Sequence, residues 1–272
     1  MTEKLKLCIG GATGGVGSCL VRAVLDSDEF ELVAATSRRA AGRDIGAVLS
    51  DQDSGVIATA SLEEALAAGP DALIDYTHPD VRMHNALLAI DRGTPMVIGT
   101  TGFTAEEFDE LDRKARAANI GLATGNFSIT AALVQHFALI AARHVPHWTV
   151  TDYCKPDKPD VPSGTARELA ELMGEVARPR YLLGENDCIG YRSALGADID
   201  GTRVHSVRLP GYVAGVEVRF GLDGERLTLQ HEMGGSNEIF VQGSLLAARR
   251  VMSHVGLVRG LDKLLFPTGE TA

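Results

Sequence analysis

The sequence predicts an α/β domain built on a doubly wound parallel sheet, followed by an α+β domain with an open, mixed and mostly antiparallel sheet. Over residues 1–126, short apolar runs alternate with helical patterns, as expected for parallel βαβ units. Beyond residue 200, three apolar runs follow one another with only turns between them, which indicates antiparallel strands. A chain of 272 residues, 45% of them hydrophobic, is long enough to bury two cores of this kind.

The first domain is expected to start with a strand in which Leu5, Leu7 and Ile9 alternate with lysines. Ser61 and Thr104 each begin a Ser/Thr-x-x-Glu capping box, a pattern that favours a helix start. Further strands are predicted over residues 32–36, 72–76, 96–99 and 120–124, and further helices directly after the first strand and over 84–92. A final helix over 239–255 and a tail over 261–266 are expected to return to this domain, which gives it the bounds 1–126 and 239–272.

The second domain is predicted to cover residues 127–238. It should begin with a helix that buries Ile129, Leu133, Phe137 and Ile140 on one face, because these residues recur at helical spacing. A strand over 148–152 and a helix over 165–178 come next, and strands over 204–209, 213–220 and 227–232 complete the sheet. The Leu-Asp-Gly-Glu stretch at 222–225 predicts a hairpin between the last two strands.

Composition and charge argue against several classes of partner. The 36 acidic residues exceed the 26 basic ones, so a net charge of −10 repels nucleic acid. No run of about 18 apolar residues predicts a membrane span, and no membrane partner is expected. The four cysteines, Cys8, Cys19, Cys154 and Cys188, form no Cys-x-x-Cys pair, so neither a metal site nor a disulfide framework is predicted. A cytoplasmic location is the expectation that follows.

A glycine-rich loop lies between the first predicted strand and the first predicted helix. Glycines in this place let the backbone approach a pyrophosphate, and the amides at the helix start bind its charge. The loop is therefore predicted to bind a dinucleotide, as in a Rossmann-like domain, although a tight turn between strand and helix would also use such glycines. The residues assigned to it are Gly11, Ala12, Thr13, Gly14, Gly15, Val16 and Gly17.

The end of the second strand indicates which dinucleotide is bound. Ser37 and Arg38 stand where a site that prefers NADH usually offers an acidic residue to the ribose. The hydroxyl and the two cations, of Arg38 and the adjacent Arg39, favour the 2′-phosphate of NADPH, with NADH also possible, unless both arginines are simply solvated. Two loops after later strands are expected to position the nicotinamide. Their residues are Gly99, Thr100 and Thr101 in one loop, and Thr124, Gly125, Asn126 and Phe127 in the other.

A loop rich in lysine and proline, at 152–166, is the most specific stretch of the sequence. Pro-Ser-Gly-Thr opens a helix there, so the amides of Gly164 and Thr165 are predicted to bind an anion. Lys155 and Lys158 stand just before this helix and add positive charge. A small carboxylated substrate fits such a site, with Arg208 as a candidate second carboxylate clamp.

These segments together resemble the 4-hydroxy-tetrahydrodipicolinate reductases of bacterial lysine and diaminopimelate biosynthesis. The resemblance runs over nearly the whole chain and rests on the glycine loop and on residues 75–79, 97–103, 125–127, 158–165, 204–208 and 224–227. It implies NAD(P)H-dependent reduction of a cyclic unsaturated dicarboxylate, and a second domain that binds substrate and assembles a homotetramer. It also implies that Lys158 donates the proton and that Gly164 and Thr165 contact a substrate carboxylate.

The chain departs from this family at the motif histidines. Cys154, Lys155 and Asp157 occupy positions where the family has histidine, the first of them an acid/base group. Cys154 is accordingly assigned to the site with three roles open, which are proton donor, reactive thiolate and space-filling side chain. The arginines that are common in the family near the position of Gly15 and after that of His231 are replaced here as well.

The sequence thus predicts an NAD(P)H-dependent reductase of a small cyclic imine or unsaturated dicarboxylate, with NADPH as cofactor and a homotetramer as assembly. Its catalytic candidates are Lys158 and Cys154, and its substrate-binding candidates are Lys155, Gly164, Thr165 and Arg208. Two alternatives stay open at this point. One is a relative that reduces a different imine or enoate, and the other is a dinucleotide-binding protein without catalysis.

Overall fold

The structure, a computed structural model, describes residues 3–50 and 52–266. The chain divides into two compact units. The first combines the residues up to Ile129 with those from Asn237 onward, and the second comprises Thr130–Ser236. The first unit is therefore discontinuous in sequence, and the divisions at 129/130 and 236/237 lie beside the predicted limits of 126/127 and 238/239.

The first unit contains a parallel sheet with helices between its strands. The strands are β1 (Leu5–Gly10), β2 (Phe30–Ala35), β3 (Ala72–Asp75), β4 (Met96–Ile98), β5 (Gly121–Thr124) and, after the second unit, β11 (Gly256–Arg259). They lie in the order β11, β5, β4, β3, β1, β2, and all these pairings are parallel. This is the doubly wound, Rossmann-like sheet that the alternating pattern predicts, so the first half of the fold class is confirmed.

The helices of this unit cover its sheet with apolar faces. They are α1 (Gly15–Leu25), α2 (Ile45–Leu49), α3 (Leu62–Leu66), α4 (Arg82–Asp91), α5 (Ala105–Ala117), α8 (Val241–Val251) and α9 (Asp262–Leu265). Every residue of β3, β4 and β5 is buried, as expected for parallel strands covered on both faces. Within the part of the chain that the structure describes, no helix has the length and apolar character needed to span a membrane.

The carboxyl ends of four strands meet at one edge of this sheet. The register aligns Gly10 of β1 with Asp75 of β3, and Asp75 with Ile98 of β4. Ile98 is aligned in turn with Thr124 at the end of β5. Ligands of open parallel sheets bind at this edge, so the loops that leave these strands form one candidate surface.

Three details of the first unit differ from the prediction. β11 was not predicted, and the expected helix over 239–255 is the shorter α8, which ends at Val251, while Gly256, with φ +93°, starts the additional strand. The capping box at Thr104 forms with both of its hydrogen bonds. At Ser61 only the hydrogen bond from the Glu64 amide to the serine hydroxyl forms. The Glu64 carboxylate accepts a hydrogen bond from the Thr59 hydroxyl instead of from the Ser61 amide.

The second unit contains the predicted mixed sheet. Its strands are β6 (Trp148–Cys154), β7 (Ala197–Ile199), β8 (Thr202–Arg208), β9 (Ala214–Leu222) and β10 (Glu225–Met233), in the order β10, β9, β6, β8, β7. β6 and β8 are parallel and the other pairs are antiparallel, which confirms the second half of the fold class. Leu222 pairs with Glu225 around a tight turn in which Gly224 has φ +82°, so the hairpin forms where it was predicted.

Two helices, α6 (Ile129–Ala142) and α7 (Gly164–Val176), accompany this sheet. The prediction for the buried face of α6 was wrong, since Phe137 and Ile140 are 46% and 42% exposed. The side that packs instead carries Ala131, Ala132, Val134, Ala138 and Ala142. Small side chains let the helix approach the sheet closely, and helical spacing alone does not distinguish them from the larger apolar residues on the opposite side.

Candidate active site

The glycine loop joins β1 to α1 and leaves the first amides of that helix open. Gly14 is the N-cap residue of α1, and no side-chain hydrogen bond caps the helix. Gly14 and Gly15 are exposed, whereas Ala12 and Gly17 are buried beneath them and Val16 is half-buried. Unpaired amides at an exposed helix start attract an anion, so this geometry fits the pyrophosphate of a dinucleotide.

Three glycines of this loop have atoms where a side chain would begin, and at Gly17 a Cβ would collide with the backbone carbonyl of Gly11. Gly11 has φ +73°, and a Cβ at this residue would lie 2.8 Å from the carbonyl oxygen of Tyr76. A Cβ at Gly15 would collide with the side-chain amide of Asn237. An arginine here, which the resembling family often carries near this position, would require the Asn237 side chain to move.

Ser37 and Arg38 follow β2 directly beside the glycine loop. The Ser37 hydroxyl lies 2.7 Å from that of Thr13 and accepts a hydrogen bond from the Ala40 amide at 3.2 Å. Ser37 is buried, whereas Arg38 is exposed. The serine consequently shapes the loop, and the guanidinium of Arg38 is the group that can meet a 2′-phosphate.

The two later loops of this unit present mostly backbone and hydroxyl groups. Thr100 is buried and donates to the carbonyl oxygen of Thr77 at 2.8 Å, whereas Thr101 is exposed. Asn126 accepts a hydrogen bond from the Ser128 amide at 3.0 Å. The Phe127 side chain is only 1% exposed, so its ring belongs to the core and this residue offers a ligand only its backbone.

The loop after β3 was not assigned to the site from the sequence, although the register places it among the others. Asp75 ends this strand and is fully buried. It accepts hydrogen bonds from the amide and hydroxyl of Thr77, at 2.9 and 3.0 Å, and from Asn85 at 2.9 Å. Burial raises the pKa of Asp75, and these hydrogen bonds oppose the rise. The sequence did offer a signal that could have identified this loop, which is the acidic residue Asp75 at the end of an apolar strand.

In the second unit, Lys158 and Lys155 lie on the loop between β6 and α7. Lys158 is half-buried, with its Nζ 2.8 Å from Oδ1 of Asp160. Lys155 is exposed, and its Nζ lies 3.4 Å from Oδ1 of Asp157. The hydrogen bond from Lys158 is the main cause that holds the pKa of Asp160 below its ordinary value, and the Gly164 amide lowers it further. The Asp160 carboxylate therefore already contacts two groups that are predicted to bind the substrate, the Lys158 ammonium and the Gly164 amide.

The start of α7 is an exposed helix N-terminus, the kind of site at which backbone amides bind an anion. Ser163 is its N-cap and accepts a hydrogen bond from the Ala166 amide at 3.4 Å. Gly164 is exposed, and a Cβ placed on it would meet no atom within 4 Å. Thr165 is half-buried, and no acidic residue lies in the first turn. A substrate carboxylate can therefore bind at this end where the Asp160 carboxylate now meets the Gly164 amide.

Cys154 lies at the end of β6 and not in a loop, contrary to expectation, and its side chain is fully buried. Its Sγ is 3.5 Å from Oδ1 of Asp152. Burial, together with the negative charge of Asp152, raises the pKa of this thiol. The thiol therefore stays protonated at neutral pH, and a reactive thiolate is disfavoured.

Arg208 is engaged within the second unit. Its Nη2 donates to Oδ2 of Asp152 and to the carbonyl oxygen of Asp160, both at 2.7 Å, and its Nη1 donates to the Val207 carbonyl oxygen at 3.0 Å. The side chain is 14% exposed. The guanidinium is thus directed at a carboxylate of the protein itself. Over residues 3–50 and 52–266, no cluster of three or more His, Cys, Asp or Glu side chains is arranged to hold a metal ion.

Two family models match the chain and together span residues 5–265. The first, described as dihydrodipicolinate reductase, N-terminus, matches residues 5–147. The second, described as dihydrodipicolinate reductase, C-terminus, matches residues 129–265. The two matches overlap over residues 129–147, and the second match begins near Thr130, where the second structural unit starts.

Curated relatives match over nearly their whole length. The 4-hydroxy-tetrahydrodipicolinate reductase of Moorella thermoacetica is 38% identical over 268 residues, which are 97% of this chain and 99% of that protein. The enzyme of the same name from Enterococcus faecalis is 36% identical over 262 residues, with 96% and 100% covered. Identity at this level over complete chains indicates common descent and a common fold.

Solved structures give the same result. The dipicolinate-bound dihydrodipicolinate reductase of Paenisporosarcina sp. TG-14 superposes with a TM-score of 0.84 at 30% identity, covering 96% of this chain and 99% of that one. An amine dehydrogenase from Mycobacterium smegmatis superposes with a TM-score of 0.64 at 15% identity, covering 94% and 95%. The second likeness concerns the fold alone.

Proposed function

The chain belongs to the dihydrodipicolinate reductase family, and on that premise we propose that it reduces 4-hydroxy-tetrahydrodipicolinate with NADPH as the preferred cofactor. It is an NAD(P)H-dependent oxidoreductase of lysine and diaminopimelate biosynthesis. The proposal includes a cytoplasmic location, which is supported by the free thiols of Cys8, Cys19, Cys154 and Cys188, since disulfides are rare in that compartment.

The first unit holds the cofactor in this proposal. The open amide of Gly15, at the exposed start of α1, binds the pyrophosphate, and Arg38 binds the 2′-phosphate. The backbone of the loops at 99–101 and 124–127 orients the nicotinamide ring. When bound, NADPH supplies the hydride for the reduction.

The second unit holds the dicarboxylate substrate. The observation that carries this assignment is the Asp160 carboxylate, which lies 2.8 Å from Lys158 and whose pKa is lowered by Lys158 and by the Gly164 amide. A substrate carboxylate offers the same charge and the same acceptor atoms, and it takes these ligands in place of Asp160. Thr165 and the exposed Lys155 add a hydroxyl and a second cation for the other carboxylate.

Lys158 also serves the reduction itself. Loss of the 4-hydroxyl as water gives a conjugated imine. Transfer of a hydride to its conjugated ring carbon then leaves negative charge on the substrate, and a proton must balance it. The Nζ of Lys158 carries protons and is held near the carboxylate site, so it donates this proton or stabilises the charge while water donates it. Cys154, buried as a neutral thiol, fills space in this proposal.

The experiment that tests the proposal is NADPH oxidation by the purified protein with freshly generated 4-hydroxy-tetrahydrodipicolinate. We expect turnover with NADPH and a higher kcat/KM than with NADH, measured by the loss of absorbance of the reduced nicotinamide. Other cyclic imines and enoates serve as matched alternative substrates. Turnover of one of those, with none of 4-hydroxy-tetrahydrodipicolinate, would replace the proposed substrate by the alternative.

The homotetramer is also part of the proposal. Leu182, Ile189 and Tyr191 of the second unit are 96%, 103% and 90% exposed. Beside them lies a groove of about 450 Å³, lined in part by Leu182, Leu183 and Cys188. Large apolar side chains this exposed are typical of surfaces that bind another subunit. Sedimentation analysis should give a tetramer, and Ile189→Asp should lower the assembly state without loss of secondary structure.

A further inference from the structure

Asp152 joins three segments of the second unit. Its side chain is fully buried near the end of β6. The amide and the hydroxyl of Ser163, at the start of α7, donate to its carboxylate at 2.9 and 2.6 Å. From β8, Ser206 donates at 3.2 Å and Arg208 at 2.7 Å. One carboxylate therefore connects β6, β8 and the start of α7.

Arg208 holds the neighbouring turn at a second point. The nitrogen that meets Asp152, Nη2, also donates at 2.7 Å to the carbonyl oxygen of Asp160. Asp160 is the residue whose carboxylate pairs with Lys158. The turn over 158–163 is thus fixed at Asp160 by Arg208 and at Ser163 by Asp152. We call Asp152 and Arg208 the loop anchor.

A buried ion pair of this kind contributes little to stability, because the cost of removing two charges from water offsets their attraction. What it does supply is geometry, since a guanidinium and a carboxylate bond only in fixed directions. The anchored turn carries Lys158, and the anchored helix start carries Gly164 and Thr165. A displacement of about 1 Å in such binding groups can cost roughly 100-fold in rate.

We propose that the loop anchor consists of positioning residues, which hold the 158–163 turn and the start of α7 in the substrate-binding conformation before substrate arrives. The inference rests on the proposed function, because that assigns the turn to substrate binding. Asp152 is enclosed and Arg208 bonds to the protein, so neither touches substrate. Arg208 accordingly acts through Asp152 and the turn, and not as a clamp on a substrate carboxylate.

Kinetics of Asp152→Asn, Arg208→Met and the double variant test this role. We expect each single variant to raise KM for the dicarboxylate roughly tenfold, with the NADPH dissociation constant within about twofold of the parent value. Because both residues act through one arrangement, the double variant should be no worse than the weaker single variant. A rise of about 100-fold in the double variant would mean that Arg208 binds substrate independently, and would overturn the inference.

Two further variants sharpen the test. Arg208→Lys should recover only part of the affinity, because an ammonium restores the charge beside Asp152 but not the fixed directions in which Nη2 meets Asp152 and Asp160. Ser206→Ala removes a donor to the same carboxylate without loosening the turn, so KM should stay within about twofold. If Asp152→Asn fails to fold, Arg208→Met and Arg208→Lys decide the question. An equal rise in KM for Ser206→Ala and Arg208→Met would indicate a merely structural role and overturn the inference.

Hydrogen exchange and binding of dipicolinate separate this inference from the proposed function. In Asp152→Asn the amides of residues 163–166 should exchange faster, and the dissociation constant of dipicolinate should rise about tenfold. If the parent protein binds dipicolinate but does not reduce the proposed substrate, the proposed function fails while these measurements still support the anchor. Unchanged exchange, or faster exchange with unchanged dipicolinate binding, would overturn the anchor even in an active enzyme.

Discussion

Each of the two units buries an aspartate near the end of a central strand. The groups that compensate the cost of burying the carboxylate differ between the two units. Asp75 of the first unit accepts hydrogen bonds from Thr77 and Asn85 and forms no ion pair within the described residues. Asp152 of the second unit meets the guanidinium of Arg208 at 2.7 Å in addition to neutral donors. Burial raises the pKa of Asp75, whereas around Asp152 the hydrogen bonds and Arg208 outweigh burial and lower the pKa.

The difference corresponds to what each unit is built to bind. A dinucleotide can be held by backbone amides and hydroxyls, so loops that are fixed by hydrogen bonds from neutral donors are sufficient to bind it. A small dicarboxylate needs side-chain cations, and a cation that is largely buried requires a buried counter-charge. The cofactor unit thus fixes its loops through hydrogen bonds from neutral donors, whereas the substrate unit fixes its loops through an ion pair.

The largest effect is expected for Lys158→Ala, which removes the functional charge of the substrate unit. Turnover should fall by roughly 100- to 10,000-fold, the usual scale for a lost acid/base group. NADPH affinity, a property of the other unit, should not change. Steady-state kinetics and NADPH titration measure the two quantities. Unaltered turnover would remove Lys158 from the mechanism, and Lys155→Ala provides a matched control in which KM is raised more than kcat is lowered.

A second prediction compares Asp152→Asn with Asp75→Asn. Asp152→Asn leaves Arg208 without its counter-charge in a buried place, and the free energy of unfolding should fall by about 3–5 kcal/mol. Asp75→Asn loses only acceptors for neutral donors, and about 1–3 kcal/mol is expected. Urea denaturation of both variants beside the parent protein measures these values. Equal losses would contradict the charged-versus-neutral contrast.

The same pair should differ in pH dependence. The pKa of Asp75 is raised above 3.8, so folded Asp75 binds a proton more readily than unfolded Asp75, and its contribution falls as pH rises above 3.8. The deficit of Asp75→Asn should therefore shrink as pH rises from 4. The pKa of Asp152 is lowered below 3.8, so its contribution is complete above that value and is lost only at lower pH. The deficit of Asp152→Asn should stay constant between pH 4 and 8.

A moderate effect is expected at Arg38, the exposed cation beside the otherwise neutral cofactor loops. Arg38→Ala should weaken NADPH binding roughly tenfold and leave NADH binding nearly unchanged, because only NADPH carries the 2′-phosphate. Fluorescence titration with both cofactors measures this, and the adjacent, equally exposed Arg39 gives the control variant Arg39→Ala. Equal losses of affinity for NADPH and NADH would show that Arg38 does not bind the 2′-phosphate.

The smallest effect is expected at the two buried cysteines that lie beside the two aspartates. Burial and the neighbouring carboxylate raise the pKa of Cys8 and of Cys154 alike, so both stay protonated. Cys154→Ala should change turnover by less than about threefold and leave the pH profile unaltered, and Cys8→Ala serves as its control. A tenfold loss confined to Cys154→Ala would instead identify that thiol as a proton donor.

Local sequence signals predicted much of this fold, and contacts between distant residues account for most of what was missed. The Thr104 capping box and the hairpin at Gly224 involve residues next to each other in sequence, and both form. β11 was missed because what makes it a strand is its pairing with β5, which lies far earlier in the sequence. The wrong face of α6 followed from weighting large apolar residues above alanine.

The candidate site shows the same limit. Sequence reasoning placed Gly164 and Thr165 at a helix start and Lys158 just before it, because these residues lie close in sequence and the chemistry of a helix start is general. The partner of Arg208 could not be predicted, since Asp152 lies 56 residues earlier on another strand. A lone arginine after a strand looks the same in sequence whether it meets a ligand or a carboxylate of its own protein.

The late position of β11 has a consequence for synthesis of the protein. This strand completes the sheet beside β5, yet about 130 residues, including the whole second unit, separate the two along the chain. At roughly 5–20 residues per second, the ribosome adds β11 some 7–26 s after β5 has been made. The nascent first unit must therefore keep an unpaired edge at β5 while the second unit folds, and protection of that edge by chaperones would matter most in this interval.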